Sequence, residues 1–171
     1  NDVPNSLLVI GGGYIGLEMG SVWMRLGAKV TVIEFADKIC GPMDKQISKD
    51  LLKILKKQGM EFMLSTKVTG GEALKTKVKL EYESLKDGEK GQIEGDQVLV
   101  AVGRKAFIDG LGLKECGVEF NDRDQVVVDE HFKTNVDGIY AIGDVVGGAM
   151  LAHKAEEEGV ALMEHLAGNY G

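Results

Sequence analysis

A glycine-rich turn near the start of the chain constrains the fold more than any other feature. It reads Gly-Gly-Gly-Tyr-Ile-Gly from Gly11 to Gly16 and follows the apolar run Leu7–Ile10. A helical apolar pattern comes next, and then the β-branched run Lys29–Ile33, which ends just before Glu34. Strand, glycine turn, helix, strand and acidic residue in this order indicate a βαβ unit of the kind that binds dinucleotides.

Each part of this pattern has a chemical reason. Gly11 permits the tight turn, Gly13 lets the backbone approach a pyrophosphate, and Gly16 lets the helix pack against the strand. The N–H groups and the partial positive charge at the helix start attract phosphates. Glu34 would accept hydrogen bonds from both hydroxyls of an adenosine ribose and would repel a 2′-phosphate, so the sequence predicts NAD rather than NADP.

Hydrophobic periodicity extends this unit into a larger domain. The alternation of residues 77–83 and the charged turn at 86–91 indicate an antiparallel β-meander, and the apolar run 96–102 is expected to return to the parallel sheet as a buried strand. We therefore predict the α/β class, with a Rossmann-like doubly wound parallel sheet. The other predicted elements of this part are strands at 6–10, 29–33 and 60–64, a helix at 14–26, and a helix capped by Asp44 that runs to Lys57.

The last third of the chain predicts shorter elements. Val126–Val128 and Ile139–Ile142 have the composition of short strands. Ala152–Leu166 has a helical pattern in which Gly159 is a mild interruption. The run Glu156–Glu158 is expected to be a solvated face of this helix.

Composition excludes several classes of partner. The chain has 171 residues, a net charge of −7 and no basic stripe, so we expect neither nucleic acid nor an anionic membrane surface as a partner. No apolar stretch approaches the roughly 20 residues of a membrane span, and no targeting leader opens the chain. The start without Met suggests a piece of a longer protein. Cys40 and Cys116 match no metal or redox spacing, so two separate thiols and no metal site are expected.

A second nucleotide motif lies near the C-terminus. Thr134 is followed by Ala-Ile-Gly-Asp at residues 141–144, and the stretches 11–23, 140–146 and 150–159 complete the pattern. Across essentially its whole length, the chain resembles the pyridine-nucleotide-disulfide oxidoreductase family of flavoproteins. The resemblance implies an NAD-binding domain at 1–124 and a C-terminal strand–helix segment of an FAD-binding domain at 125–171.

The resemblance also implies which residues touch the cofactors. For Tyr14 it implies an aromatic gate over the flavin, although relatives also carry aliphatic residues there. For Glu18 the alternative is a favourable charge near the helix dipole, and for His153 it is a solvent-facing side chain. The implied NAD contacts are Gly11, Gly12, Gly13, Tyr14, Ile15, Gly16, Leu17, Glu18, Glu34, Val68 and Gly103. The implied FAD contacts are Asp144, Met150, Leu151, Ala152 and His153.

The activity implied is that of an oxidoreductase that oxidises protein-bound dihydrolipoamide and passes the electrons through FAD to NAD. No catalytic residue is expected in this chain, because the family's CxxxxC pair, first FAD fingerprint and His–Glu dyad are not in it. Ala106 stands where the family usually has a proline, which affects the loop conformation rather than the site.

The resemblance further implies a lipoyl-bearing acyltransferase or carrier protein as partner, from a 2-oxo acid dehydrogenase or glycine cleavage system. It implies a homodimer at full length and a mitochondrial matrix location, with the bacterial cytoplasm or a plastid as alternatives. Two other readings stay open: another enzyme of the same fold, such as a mercuric reductase or NADH oxidase, and a non-enzymatic nucleotide-binding module.

Overall fold

The computed structural model describes residues 2–169 and divides the chain after Gly103 into two compact units. The sequence-based boundary lay further along, after Asp124. Residues 104–124 group with the C-terminal part, and Phe120 forms an isolated antiparallel bridge with Val126. The assignment of the two parts to different cofactor domains stays a prediction.

A four-stranded parallel sheet forms the centre of the first unit. Its strands are β1 (Ser6–Ile10), β2 (Lys29–Ile33), β3 (Glu61–Met63) and β7 (Gln97–Val100), in the order β3-β2-β1-β7. The chain winds from β1 through β2 to β3 on one side and returns on the other side of β1 with β7. This reversal is the switch point where open α/β sheets bind ligands, at the carboxyl ends of the strands. The predicted α/β fold is confirmed.

Two helices cover one face of this sheet. They are α1 (Tyr14–Arg25) and α2 (Lys45–Lys57), and Leu17 and Leu55 bury their side chains in the same cluster as Val9, Val30 and Val32 of the sheet. The predicted cap of α2 is confirmed, since the carboxylate of Asp44 accepts hydrogen bonds from the N–H groups of Gln46 and Ile47 at 2.8 and 3.2 Å. Such a cap stabilises a helix by about 1 kcal/mol.

The predicted meander is also present. It consists of β4 (Thr66–Ala73), β5 (Val78–Ser84) and β6 (Lys90–Gly95), which form an antiparallel sheet in the order β4-β5-β6. Leu80 of the meander packs with Leu8 and Ile33 of the parallel sheet in a second buried cluster. The parallel sheet is therefore covered on both faces, as its apolar strands require.

The strand predicted at 96–102 differs from expectation in length and burial. It is confined to β7, and Val100 and Val102 are 64% and 70% exposed. The prediction of a buried strand was wrong because β7 is the outermost strand of the sheet, where an apolar side chain has a neighbouring strand on one side only.

The second unit has little regular structure apart from one long helix. The strands predicted at Val126–Val128 and Ile139–Ile142 are reduced to one isolated bridge each, Phe120 to Val126 and Lys133 to Tyr140. A short 3₁₀ helix (Gly143–Val146) and α3 (Ala152–Leu166) follow. The prediction of α3 is confirmed, and it continues through Gly159 without interruption.

Residues 2–169 bear on three predictions from the sequence, which concern a membrane span, a metal site and the two cysteines. Within that range no helix is long and apolar enough to cross a membrane. The same residues contain no group of three or more His, Cys, Asp or Glu side chains that could hold a metal ion. Both cysteines are free thiols, with Cys40 buried and Cys116 exposed, as predicted.

Candidate nucleotide-binding site

The glycine turn lies at the carboxyl edge of the parallel sheet, between the ends of β2 and β7. The N–H of Gly11 donates to the carbonyl of Ile33 at 2.9 Å. Gly11 has a φ of +106°, and a Cβ on it would collide with the carbonyl oxygen of Ala101. Only glycine fits this first position of the turn, since the left-handed backbone and the close neighbour both exclude a side chain.

The other two glycines of the motif, Gly16 and Gly13, have different surroundings. A Cβ on Gly16 would collide with the carbonyl oxygen of Gly11 and lie 3.2 Å from the Cγ1 atom of Val9, so glycine lets α1 pack tightly on β1. Gly13 is the N-cap residue of α1, and a Cβ there would have no heavy atom within 4 Å. The turn is therefore filled by protein at Gly11 and Gly16 and open at Gly13.

Glu34 is held rigidly opposite this turn. One carboxylate oxygen accepts a short hydrogen bond from the N–H of Gly12, and the other accepts from the N–H of Ala36 at 2.7 Å. The Glu34 backbone is fixed as well, because its N–H donates to Met63 and its carbonyl accepts from Thr66, both at 2.9 Å. The structure thus brings together the acidic residue and the glycine turn that the sequence paired.

A further contact on Gly12 could not be read from the sequence. The N–H of Cys40 donates to the carbonyl of Gly12 at 2.9 Å, so Gly12 is held through both of its backbone groups. Burial, with a smaller contribution from the charge of Glu34, raises the pKa of the Cys40 thiol. Cys40 is therefore a neutral packing residue beneath the turn, and no motif spacing marks it.

This arrangement fits the pyrophosphate and the ribose of an adenosine diphosphate group. The first turn of α1 contains no acidic residue, and its N-cap residue Gly13 provides no side-chain hydrogen bond to the N–H groups of the helix start. Such a helix start attracts phosphate oxygens. A carboxylate has about four acceptor positions, so Glu34 keeps two for ribose hydroxyls after it has bound Gly12 and Ala36.

The remaining residues assigned to NAD lie in varied surroundings. Tyr14 is 54% exposed at the start of α1, whereas Leu17 is buried in the core and could meet a ligand only through its backbone. Glu18 is exposed and lies beyond the first turn of α1, which weakens its alternative role as a first-turn charge.

Val68 of β4 packs against the cluster of Leu8, Ile33 and Leu80. Ile15 is 41% exposed, and Gly103, with a φ of +110°, has open space where its Cβ would be.

The second unit presents a carboxylate in a tight turn. Asp144 is the second residue of the 3₁₀ helix, and its Oδ2 lies 3.5 Å from Nη1 of Arg104, with both side chains partly exposed. Gly143 before it is buried, with a φ of +76° that favours glycine. Asp144 is therefore displayed at a defined position.

One expectation for α3 was wrong. Glu156 and Glu157 are exposed as predicted, but Glu158 is turned inward. Its Oε2 accepts a hydrogen bond from the N–H of Gly143 at 2.7 Å, and its Oε1 pairs with Nζ of Lys154 at 2.5 Å. Lys154 four residues earlier was the one available signal, since opposite charges at this spacing share a helix face.

The other residues near the second motif fall into two groups. Thr134 is buried, and its hydroxyl bonds to the backbone of Val136 and Ile139, so it closes a turn rather than facing a ligand. Leu151 is the extended N-cap residue of α3. Leu151, Ala152 and His153 are exposed, and Met150 is half-buried.

The fold is α/β and carries a glycine turn of the kind found in dinucleotide-binding units, and comparison with known proteins narrows the class. The family described as pyridine nucleotide-disulphide oxidoreductase matches residues 1–159. The chain belongs to this family. The match confirms the resemblance inferred from the motifs.

Individual relatives agree with this assignment. The chain is 53% identical over 171 residues to the mitochondrial dihydrolipoyl dehydrogenase of Pisum sativum, which is matched over 34% of its length. It is also 53% identical to the leghemoglobin reductase of Glycine max, over all of this chain and 33% of that protein. The chain thus spans about a third of the length of the curated relatives it matches. Both names denote oxidoreductases, in agreement with the family to which the chain belongs.

Solved structures confirm the fold. The HOCl-induced flavoprotein disulfide reductase RclA from Escherichia coli superposes with a TM-score of 0.86 at 30% identity. The match covers 99% of this chain and 38% of RclA. A pyridine nucleotide in the family description and a flavoprotein among the similar structures agree with the predicted cofactors, NAD and FAD.

Proposed function

We propose that the first unit binds NAD, with the pyrophosphate at the N-terminus of α1 and the adenosine ribose at Glu34. The observation that carries this proposal is the fixed orientation of Glu34, whose carboxylate is held by the N–H groups of Gly12 and Ala36. A carboxylate that is already ordered loses little entropy when it accepts further hydrogen bonds from a ribose.

The same carboxylate disfavours NADP. A 2′-phosphate would place a second negative charge next to Glu34, and the neighbouring Phe35, Ala36 and Asp37 offer no cation to compensate it. Phe35 is 63% exposed and could cover only apolar surface. The site therefore selects for the hydroxyl form of the ribose.

We further propose that this nucleotide site belongs to a flavin-dependent dihydrolipoyl dehydrogenase. The support is the 53% identity across the whole chain to enzymes of that name. When bound, the flavin and the nicotinamide supply the hydride transfer, from reduced FAD to NAD. The residues of this chain bind and orient, and the redox disulfide and the acid–base dyad are expected elsewhere in the full-length polypeptide.

In this proposal the second unit contributes to the FAD site. Asp144 would accept hydrogen bonds from ribitol hydroxyls, and Arg104 would limit the motion of its carboxylate from the other side. Residues 150–153, at the start of α3, would contact the flavin through their backbone. A partly exposed, charged group in a fixed turn suits a polyol that has several hydroxyls to offer.

The proposed partners follow from this activity. They are a lipoyl-bearing acyltransferase or carrier protein of a 2-oxo acid dehydrogenase or glycine cleavage system, and a second copy of the full-length chain. The proposed location is the mitochondrial matrix, because relatives from Pisum sativum and Schizosaccharomyces pombe are named mitochondrial.

A second candidate function is the reduction of another substrate by an enzyme of the same fold. It is supported by the name leghemoglobin reductase, given to a relative as similar to this chain as the dihydrolipoyl dehydrogenases are. The two candidates share the NAD and FAD sites and differ in the electron donor or acceptor. Turnover of free dihydrolipoamide with NAD by the full-length polypeptide would favour the first candidate, and turnover only with a haem protein would favour the second.

The variant Glu34→Arg tests the nucleotide assignment. We expect it to weaken NADH binding about tenfold or more and to reduce the preference over NADPH, because it replaces a hydroxyl acceptor by a phosphate-binding cation. Calorimetric titration of both nucleotides measures the two affinities. Glu89→Arg makes the same change of charge at an exposed position on the turn between β5 and β6 and should leave the preference intact. An unchanged preference in Glu34→Arg would remove Glu34 from the ribose site.

A further inference from the structure

The turn that presents Asp144 depends on an acceptor from outside the turn. Gly143 begins the 3₁₀ helix, and the residue before it, Ile142, provides no side-chain cap. The buried N–H of Gly143 is instead bound by Oε2 of Glu158, which lies in the middle of α3. A buried N–H without a partner would cost free energy, so this hydrogen bond fixes where the turn can lie.

Glu158 is itself held in one orientation. Its side chain is 16% exposed, that of Lys154 is 25% exposed, and the two form an ion pair at 2.5 Å. Burial raises the pKa of the Glu158 carboxyl, but the hydrogen bonds from Lys154 and Gly143 outweigh burial and hold the pKa below its usual value. The carboxylate is therefore charged and fully engaged on both oxygens at neutral pH.

Packing reinforces this contact between α3 and the turn. A Cβ on Gly143 would lie 3.2 Å from Cβ of Ala155, so the helix approaches the turn too closely for a larger residue. Asp144 follows Gly143 directly, and its own carboxylate meets Arg104 on the exposed side. A shift of Glu158 would thus move the backbone to which Asp144 is attached.

We propose that Glu158, oriented by Lys154, is a positioning residue for the FAD site: it binds the N–H of Gly143 and thereby sets the place of the Asp144 carboxylate. This inference rests on the proposed role of Asp144 toward the flavin ribitol. The positioning of Asp144 thus falls to the face of α3 that packs against the turn. No residue of the glycine-rich motif or of the Thr134-to-Asp144 motif has this role.

The experiment compares variants of the full-length polypeptide in FAD affinity, flavin absorption spectrum and thermal unfolding. We expect Glu158→Ala to weaken FAD binding ~10-fold and to alter the flavin spectrum, because it frees the turn. Glu158→Gln retains an acceptor oxygen for Gly143 and should recover most of the affinity. Glu157→Ala removes a neighbouring exposed carboxylate and serves as the matched control. Wild-type affinity and spectrum in Glu158→Ala, or a loss of thermal stability alone, would overturn the proposal.

A second variant covers the case in which Glu158→Ala does not fold. Lys154→Met keeps the stem of the side chain but removes the charge that lowers the pKa of Glu158. FAD affinity should then fall by less than in Glu158→Ala, with a change of the flavin spectrum in the same direction, because the Glu158 carboxylate loses the partner that orients it. Wild-type affinity and spectrum in Lys154→Met would contradict the proposed role.

Asp144→Ala separates this inference from the function on which it rests. If Asp144→Ala keeps full FAD affinity, the proposed contact between Asp144 and the flavin is wrong. If Asp144→Ala loses FAD while Glu158→Ala keeps it, the contact stands and the positioning role of Glu158 is wrong.

Discussion

Gly13 and Gly16 belong to the same motif but meet different surroundings. At Gly16 a side chain would run into the backbone of Gly11 and the side chains of Val9 and Ala101. At Gly13 the space is open, and a φ of −74° suits any residue. One glycine is therefore required by the protein's own packing, whereas the other leaves room for a ligand.

This contrast predicts opposite effects of the same substitution. We expect Gly16→Ala to reduce the free energy of unfolding by about 1–3 kcal/mol, as overpacking in a core does. Gly13→Ala should leave stability within about 0.5 kcal/mol of the wild type and should weaken NADH binding, since its methyl group would occupy the space in which we propose the pyrophosphate. Denaturant unfolding and nucleotide titration measure the two effects. Full NADH affinity in Gly13→Ala would place the phosphates elsewhere.

At the scale of elements, Asp96 joins the beginnings of two parallel strands. Its Oδ2 accepts hydrogen bonds from the N–H groups of Asn5 and Ser6 at 2.8 and 3.1 Å, and its own N–H donates to Oγ of Ser6 at 3.0 Å. These backbone hydrogen bonds, the one from Ser6 first, hold the pKa of the Asp96 carboxyl below its usual value. The register of β1 against β7 is thus fixed at its amino end by a charged group.

A pH dependence of stability follows from this depressed pKa. The contribution of Asp96 is present above the unfolded pKa of about 3.9 and is lost as the pH falls through the lower folded value. Asp96→Asn should therefore unfold at lower denaturant than the wild type at pH 7, and the difference should shrink below about pH 4. Asp37→Asn, at an exposed position, is the control. A difference that persists unchanged at pH 3 would contradict this role.

The sequence predicted elements well where local chemistry decides them. The β-branched run of β2, the apolar period of α1 and the Asp44 cap of α2 each act within one or two turns of backbone, and all three are present. The exposure of β7 depends on its place in the sheet, which no local pattern encodes. The bridges at Val126 and Tyr140 pair with residues only six and seven positions earlier, so the predicted strands are short local turns and not strands of a sheet.

The residues of the candidate site also divide into those that a local motif predicts and those that it does not. Gly11, Gly16 and Glu34 could be assigned because a motif of fixed spacing relates them. The contacts of Cys40 with Gly12 and of Glu158 with Gly143 could not, because each involves a backbone N–H group that any residue except proline supplies. The motif therefore indicated the residues proposed to face the ligand better than those that hold them in place.

The chain consists of two compact units, and we propose a different cofactor for each. The residues predicted to bind NAD all lie in the unit before Arg104, and those predicted to bind FAD all lie in the unit that begins with it. In the described part of the chain α3 has no buried residue, although it carries apolar side chains such as Val160 and Met163. We expect the full-length polypeptide to cover this helix.

We propose above that the glycine turn and Glu34 together form the NAD site. An amide chemical-shift titration of the isotope-labelled chain with NADH tests it most directly, since it locates even weak binding residue by residue. We expect the saturable shifts to centre on residues 11–16 and on Glu34, and NADPH to cause much smaller ones. Shifts centred on other residues, or equal responses to the two nucleotides, would contradict the claim.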